Sequence, residues 1–182
     1  MAGRTKDTPR DATTASPEPP VETAHRPSRV ADIMTRDVAA CSSDDTLERA
    51  AQLMWDRACG SVPVVDELRR PIAMLTDRDV CMAAYTQGKP LAGMDVASAM
   101  SKRLFLARKD ETLESAERTM RRHCLRRLPV VDRHGALVGL LSIADIATNG
   151  RLGPTLGRDG LSANAIAATV AALHHGARPA SG

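Results

Sequence analysis

The apolar positions along the chain change period several times, and each change marks an element. Over residues 46–57, Leu47, Ala50, Ala51 and Met54 recur at the spacing of one helix face, the pattern of an amphipathic helix. Asp44 or Asp45 is placed to cap it, because a short acidic side chain accepts from the free amides of a first turn. Gly60 is expected to end it. The spacing then gives way to unbroken aliphatic runs at 62–65 and 72–75 with polar residues between them, the pattern of an antiparallel hairpin. Thr76 caps a following helix to about Tyr85. Ahead of all this, residues 30–34 form a short helical turn and 38–40 a short strand. The order is strand, helix, strand, strand, helix.

The pattern then repeats without a gap. Residues 96–146 lie over 30–80 at a constant offset of 66, with Met100 over Met34, Pro129 over Pro63 and Asp145 over Asp79. Of the 51 aligned pairs, 15 are identical, and most others keep their apolar or polar character. The second copy predicts a strand at 104–106, a helix over 112–124, strands at 128–131 and 137–141, and a helix from Ser142 to about Thr148. Its hairpin turn holds Gly135, suited to positive φ. Two copies are too few for a solenoid, so the expectation is a pseudo-twofold pair with its special places at the seam. The chain divides into repeat 1 (30–86), a linker (87–95), repeat 2 (96–149) and an extension (150–182). In the extension, a Gly/Pro-rich stretch precedes a helix over 162–174 with Ile166, Val170 and Leu173 on one face. That helix is expected to pack on the domain or across a dimer, and residues 179–182 to fray. Residues 1–29, rich in Thr, Pro, Ala and charge, cannot bury enough apolar surface to offset their ordering entropy and are expected to be disordered.

Composition narrows the function. At 182 residues there is room for one domain-sized core and tails. Aromatic residues are 2% of the chain (Trp55, Tyr85 and Phe105), so the core must be aliphatic and Met-filled. A platform for stacking single-stranded nucleic acid is excluded. The net charge of +3 conceals opposed halves: residues 30–80 hold ten acidic and six basic side chains, residues 96–146 six acidic and ten basic. The clefts of the two copies therefore need not bind alike. Cys41, Cys59, Cys81 and Cys124 form no CxxC pair and are expected to be buried free thiols of a reducing compartment. With no signal-peptide core and no apolar run near the ~20 residues of a membrane span, the expectation is a soluble cytoplasmic protein.

Two strand-to-helix junctions carry the candidate chemistry: Thr76-x-x-Asp79 and Ser142-x-x-Asp145. Each has the form of a capping box, in which the hydroxyl accepts from the third amide and the acid reaches back to the cap amide. The same geometry also suits a ligand. A helix N-terminus attracts anions, a hydroxyl there can meet phosphate, and a carboxylate one turn in can accept both hydroxyls of a ribose. Two such junctions about a twofold would face one seam. Arg126 and Arg127 precede the second Pro-Val-Val, where repeat 1 has Gly60 and Ser61, and guanidinium groups suit bidentate phosphate contact. Arg78 lies inside the first junction between Asp77 and Asp79, where an ion pair is an equal alternative.

The Met-rich opening turn, the Asp-x-Thr-Leu-x-x-Ala helix start, the Pro-Val-Val-Asp hairpin and the [ST]-x-x-Asp junction, in order and twice, resemble the CBS domain, named after cystathionine β-synthase. The duplicate resembles a tandem CBS pair, or Bateman module, over residues 30–148. The run Met74-Leu75-Thr76-Asp77-Arg78-Asp79-Val80 is similar to stand-alone bacterial pairs of the hypoxic-response kind. The resemblance implies an α/β (α+β) fold of two β-α-β-β-α units packed as a pseudo-twofold pair, with a C-terminal helix added. It also implies two clefts for adenosine derivatives: AMP, ADP, ATP, S-adenosylmethionine, NAD(H) or cyclic dinucleotides, bound as regulatory ligands with no cofactor required. By motif position, Asp79 and Asp145 are the ribose binders, Thr76 and Ser142 the phosphate-side hydroxyls. Adenine would lie against Val38, Ala40 and Val62 in one unit and Leu104, Leu106 and Leu128 in the other. Phosphates would be drawn toward Arg126, Arg127 and Arg78. Ala73 departs from the family's usual glycine, which Gly139 keeps, and so threatens to crowd a ligand in repeat 1.

Nothing points to catalysis or a metal: there is no Gly-x-Ser-x-Gly elbow, P-loop or His-Glu-x-x-His, and beside each other Cys124 is expected in the core and His123 on the surface. The leading expectation is a non-catalytic sensor that signals through another protein chain, as a homodimer whose two pairs form a flat four-unit disc. A nucleic-acid-associated protein using Arg118, Arg121, Arg122, Arg126 and Arg127 is the alternative, disfavoured by the acidic first repeat and the lack of a base-reading element. A ligand-free structural dimer is a further one. No membrane association is expected.

Overall fold

The 66-residue period reappears in space as two three-stranded sheets of the same order. A computed structural model describes residues 28–101, 103–149 and 163–175, and all that follows concerns those. In repeat 1, β1 (Cys41–Ser42) pairs parallel with β2 (Ser61–Val65), which pairs antiparallel with β3 (Pro71–Thr76). In repeat 2, β4 (Ala107–Arg108), β5 (Arg127–Val131) and β6 (Leu137–Ser142) repeat the arrangement. Even the irregularity matches: Val64 faces Ala73 and Val130 faces Gly139, and both ladders shift register at the next residue. The helices are α1 (Val30–Ile33), α2 (Leu47–Asp56), α3 (Asp77–Gln87), α4 (Leu113–His123), α5 (Ile143–Asn149) and α6 (Ala163–His175). This is the expected mixed α/β (α+β) architecture with a C-terminal helix.

Several local expectations are corrected. The first strands lie at 41–42 and 107–108, three residues beyond 38–40 and 104–106. Cys41 and Ala107 are the residues that bury against the sheet, whereas Val38–Ala40 and Leu104–Leu106 stay partly or fully exposed. The caps of α2 and α4 are Thr46 and Thr112, whose hydroxyls accept from Arg49 N (3.1 Å) and Ser115 N (3.3 Å). Asp45 instead accepts from Ser42 N at 2.7 Å, closing the turn ahead. Helix α2 ends before Gly60, with Ala58 in the left-handed region at φ 47°. Gly135 does adopt positive φ (83°), while its counterpart Arg69 holds the same turn at φ 57°. Both turns are tied by an aspartate: Asp66 accepts from Leu68 N and Arg70 N, Asp132 from His134 N and Ala136 N. Those amides, His134 first, hold the Asp132 carboxyl below its ordinary range.

The sequence repeats and the packing units do not coincide. Val30 and Met34, at the head of repeat 1, are buried with Ala107, Ala116, Met120, Leu128 and Leu141 of repeat 2. Met94, at the end of the linker, and Val96, at the head of repeat 2, are buried with Cys41, Leu47, Val64 and Leu75 of repeat 1. Paired hydrogen bonds make the exchange: Val30 N to Glu111 O (3.0 Å) corresponds to Val96 N to Asp45 O (2.8 Å). Both cores are aliphatic with buried methionines (Met34, Met54, Met94 and Met120), as the scarcity of aromatics requires. Since each core is closed by the other repeat's opening turn, separating the repeats would expose both.

Helix α6 packs on α4 and α5. Its predicted face is partly corrected: Ile166 packs against the second core and Leu173 is buried, but Val170 is exposed and Thr169 is buried instead. The Thr169 hydroxyl bonds the carboxylate of Glu117, itself buried on α4. The expected disordered tail (apart from residues 28 and 29), the Gly/Pro-rich stretch and the fraying end lie outside the described residues. No described helix is long and apolar enough to cross a membrane.

Candidate functional site

Both junctions fold as the capping boxes their residues encode. Thr76 Oγ1 donates to Asp79 Oδ2 (2.6 Å) and accepts from Asp79 N (3.1 Å), while Thr76 N reaches the same Oδ2 at 2.9 Å. Ser142 and Asp145 reproduce these at 2.6, 3.1 and 2.8 Å. Each hydroxyl therefore spends its only proton on its own aspartate. The first amides of α3 are also taken: Asp77 N by Gly60 O (3.1 Å), Arg78 N by Asp77 Oδ1 (2.7 Å). At α5, Ile143 N goes to Arg126 O at 3.0 Å. With these donors satisfied internally, an anion at the seam needs another source of positive charge.

The seam supplies it. Ser61 and Arg127 are equivalent under the 66-residue offset, and Arg127 Nη1 donates to Ser61 Oγ at 3.2 Å. Equivalent residues touch only near a twofold axis, so this pair marks the axis. Beside it opens a cleft of about 240 Å³ lined by Thr35, Asp37, Val38, Ala39, Arg57, Cys59, Ser61, Arg127, Leu140, Ser142 and Asp145. Its lining mixes charged and hydroxyl side chains with apolar ones, the ordinary make-up of a small-molecule site. Arg57 Nη1 meets Asp37 Oδ2 at 2.7 Å, with both side chains largely exposed.

Of the residues singled out from sequence, the structure brings together Ser142, Asp145, Arg127 and Val38 in this cleft. Val38 comes from repeat 1 and the junction from repeat 2, because Thr35 crosses to pair with Leu140 (N to O, 2.9 Å both ways). The grouping by unit is thus corrected: each junction faces the other repeat's opening segment. Ala39, not Ala40, lines the cleft. Val62 and Leu128 are buried in the two cores. Arg126 and Arg78 are exposed and do not line it. Asp37, Arg57 and Ser61 were not found from sequence. The signal for Ser61 was present, since the offset pairs it with Arg127.

Applied to the cleft, the same offset places Ser101, Arg103, Leu104, Phe105, His123, Leu125, Met74, Thr76 and Asp79 on the other side of the axis. There Phe105 replaces Ala39 and His123 replaces Arg57. The two rings stack with centroids 3.9 Å apart, and the Arg103 guanidinium lies 5.4 Å from the Phe105 centroid. Leu104 is half-buried and Leu106 exposed. Cys124 is exposed and His123 half-buried, the reverse of expectation, because Cys124 is the left-handed C-cap of α4 (φ 53°). Cys81 is exposed too, and Cys41 is the buried thiol.

The Ala73 expectation is also corrected. A Cβ on Gly139 would lie 2.5 Å from Met34 Sδ and 3.0 Å from Thr35 O, so the glycine admits the crossing segment rather than a ligand. Opposite Ala73, the crossing makes one backbone bond, Ser101 N to Met74 O (2.9 Å). The return bond goes from Met74 N to the Ser101 hydroxyl (3.3 Å). A methyl group fits between the chains there because the hydroxyl spans the wider gap.

Comparisons with known proteins agree with this architecture. A family model for the CBS domain matches residues 30–85 and 95–150. The CBS domain-containing protein YhcV of Bacillus subtilis is 38% identical over 124 residues, 67% of this chain and 85% of its own. Hypoxic response protein 1 of Mycobacterium tuberculosis is 29% identical over 116 residues, 64% of this chain and 80% of its own. A hypoxic response protein I structure, with two coordinated zinc ions, superposes with a TM-score of 0.62 at 28% identity, over 70% of this chain and all of that one. The CBSX2 structure in complex with AMP gives a TM-score of 0.60 at 24% identity over 68% of this chain and 96% of that one. The protein MJ0100 pair, in complex with 5′-methylthioadenosine and S-adenosyl-L-methionine, gives 0.61 at 22% over the same shares. The last two likenesses concern the fold alone. With the family model covering both repeats, the chain belongs to the CBS-domain family, as a tandem pair similar to the hypoxic response proteins.

Proposed function

We propose that the chain is a non-catalytic regulatory module whose Ser142/Asp145 cleft binds an adenosine mononucleotide. The observation that carries this is one cleft lined by two guanidiniums, Arg57 and Arg127, two carboxylates, Asp37 and Asp145, and the apolar Val38, Ala39 and Leu140. Asp145 takes the ribose hydroxyls, Val38, Ala39 and Leu140 the base, and Arg127 with Arg57 the phosphate, Asp37 yielding its partner to the incoming anion. A volume of about 240 Å³ falls below the roughly 300–1,000 Å³ of drug-sized sites. It therefore favours AMP over ATP or NAD(H). That related pairs are described with AMP, or with 5′-methylthioadenosine and S-adenosyl-L-methionine, supports adenosine as the shared element. The bound state is read by a protein effector, and the chain works as a homodimer in the cytoplasm, where four free thiols are at home.

The nucleic-acid reading loses ground on α4, where Arg118 pairs with Glu114 (2.7 Å) and Arg121 approaches the buried Glu117 (3.7 Å). Calorimetry with AMP, ATP, NADH and S-adenosylmethionine tests the proposal. The expected result is one site per chain, tightest for AMP. Asp145→Ala should weaken it at least tenfold, since a hydrogen bond to a charged group contributes about 1.5–3 kcal/mol. Asp79→Ala loses the same kind of cap, at a cost near 1 kcal/mol of stability, and should leave affinity unchanged. No heat with any of the four ligands, or equal effects of the two substitutions, would sink the reading.

A further inference from the structure

Between Arg57 and Ser61 the chain passes from one cavity to another. Helix α2 ends in a Schellman turn: Cys59 N reaches Met54 O at 2.9 Å and Ala58 N reaches Trp55 O at 3.0 Å. The turn puts Ala58 in the left-handed region, at φ 47°, which glycine takes freely and alanine holds at a cost. Arg57, Cys59 and Ser61 line the Ser142/Asp145 cleft. Ala58, Cys59 and Gly60 line a second cavity, an open groove of about 680 Å³ between α2 and α3 that Trp55 and Cys81 also edge. Cys59 therefore stands in a wall common to both.

Three ties hold this segment. Arg57 meets Asp37 of the opening segment at 2.7 Å, Gly60 O accepts from Asp77 N at the head of α3 (3.1 Å), and Ser61 Oγ accepts from Arg127 across the axis (3.2 Å). The first is the weakest, because an ion pair between exposed side chains contributes little. It is also the one that an anion in the cleft contests, since a phosphate offers the guanidinium another charged acceptor. The matching segment of repeat 2 has the same turn, with Cys124 at φ 53° and Leu125 N on Met120 O at 2.9 Å. There, however, His123 replaces Arg57 and stacks on Phe105, and α6 packs on the α4 and α5 behind it. An exchangeable charge pair holds one segment, and packing holds the other.

We propose that residues 57–61 couple the cleft to the open groove: an anion that takes Arg57 from Asp37 draws the end of α2 with it and reshapes the groove wall at Trp55, Ala58 and Cys59. Two states follow, with Arg57 on Asp37 when the cleft is empty and on the anion when it is filled. The anion shifts one to the other because it bonds Arg57 in only one of them. Ala58 is the place for the bend, since an alanine gives up less than a glycine on leaving the left-handed region. The trigger rests on the AMP reading above; the latch itself rests on the Arg57–Asp37 pair.

Trp55 is the chain's single tryptophan, and both it and Cys81 line the groove but not the cleft. Trp55 emission and the rate of Cys81 alkylation, read by mass spectrometry, therefore report on the groove. On the full chain at one protein concentration, saturating AMP should shift the emission and change Cys81 labelling, which access governs, about twofold or more. Arg57→Gln should bind AMP about tenfold more weakly and, once saturated, show neither change. Asp37→Asn should show both changes without any ligand, because Arg57 is released. AMP binding by calorimetry with Trp55 and Cys81 unmoved overturns the coupling and leaves the cleft reading standing. So does an Arg57→Gln protein whose groove still answers to AMP, or a ligand-free Asp37→Asn protein that matches the unaltered one. No heat with AMP overturns the cleft reading instead, and Asp37→Asn then decides the latch by itself.

Discussion

Repeat 1 and repeat 2 place the same three-bond cap at the heads of α3 and α5, with corresponding distances that agree to 0.1 Å. Around those caps the copies diverge. Beside Asp145 lie Ala39 and Arg57; in the matching positions beside Asp79 lie Phe105 and His123. Behind one sheet Gly139 admits a chain at contact distance, where Ala73 keeps it off the other. One helical groove is filled by α6 and the other is open. The duplication specifies backbone and caps, and the divergence specifies what may approach them. Similarity at the motif therefore does not make both junctions binding sites, and the comparison can be broken at three further places.

The largest effect is expected at Gly139. In Gly139→Ala the new methyl group would press on Met34 Sδ and on Thr35 O. The methionine can turn aside; the Thr35 carbonyl cannot without releasing Leu140 N. Overpacking of this kind costs about 1–3 kcal/mol, and since Thr35 lines the open cleft, AMP affinity should fall as well. The mirror change, Ala73→Gly, creates no clash; it loses one buried methyl group and adds glycine's backbone entropy, together about 1–2 kcal/mol, and should leave AMP affinity unchanged. Urea midpoints of the two variants give the comparison. If Gly139→Ala is no less stable than Ala73→Gly, the crossing segments are not what distinguishes the copies.

Next comes Phe105. If its stack with His123 is what keeps the Asp79 junction from binding, Phe105→Ala should raise the calorimetric stoichiometry from one AMP per chain toward two. The new site should be the weaker, since His123 stands where Arg57 stands in the other. The reciprocal Ala39→Phe should abolish the first site. An unchanged stoichiometry in Phe105→Ala would mean that the two clefts differ for a reason other than this ring.

Much of this was legible in the chain because period carries it. Leu47, Ala50 and Met54 announce α2, the aliphatic runs announce the hairpins, and the 66-residue offset announces the pseudo-twofold. The two-residue parallel strands were missed because a ladder that short leaves no periodic trace, and the apolar triplets beside them attract the assignment. The caps went to Asp44 or Asp45 by propensity, whereas Thr46 has the geometry. The cleft was half legible. Ser142, Asp145 and Arg127 stand in motifs, but their neighbours Val38, Ala39 and Arg57 come from the other repeat, and nothing local says that the opening segments exchange. Thr169, rather than Val170, faces inward on α6 because Glu117 waits opposite, a pairing of residues 52 apart.

The smallest effect expected is at Cys41, whose counterpart is Ala107. Burial, and then the nearby Asp45 charge, raise the thiol from 9.0 to about 11. Folded, it keeps its proton two pH units longer than in the unfolded chain. Between about pH 9 and 11 the unfolded state therefore binds fewer protons, and stability falls as pH rises, by up to ~1.4 kcal/mol per unit. Below pH 9 the shift contributes nothing to the pH dependence. Cys41→Ala makes repeat 1 resemble repeat 2 at this point. At pH 7 it should cost no more than about 1 kcal/mol, the lost contact of one sulfur atom in a core that already tolerates alanine at 107. At pH 10 the difference should shrink or reverse, because the variant has no thiol to hold protonated. Paired urea titrations at the two pH values measure this. A gap that stays constant would place Cys41 in contact with water, and would remove the thiol from the differences that burial creates between the two copies.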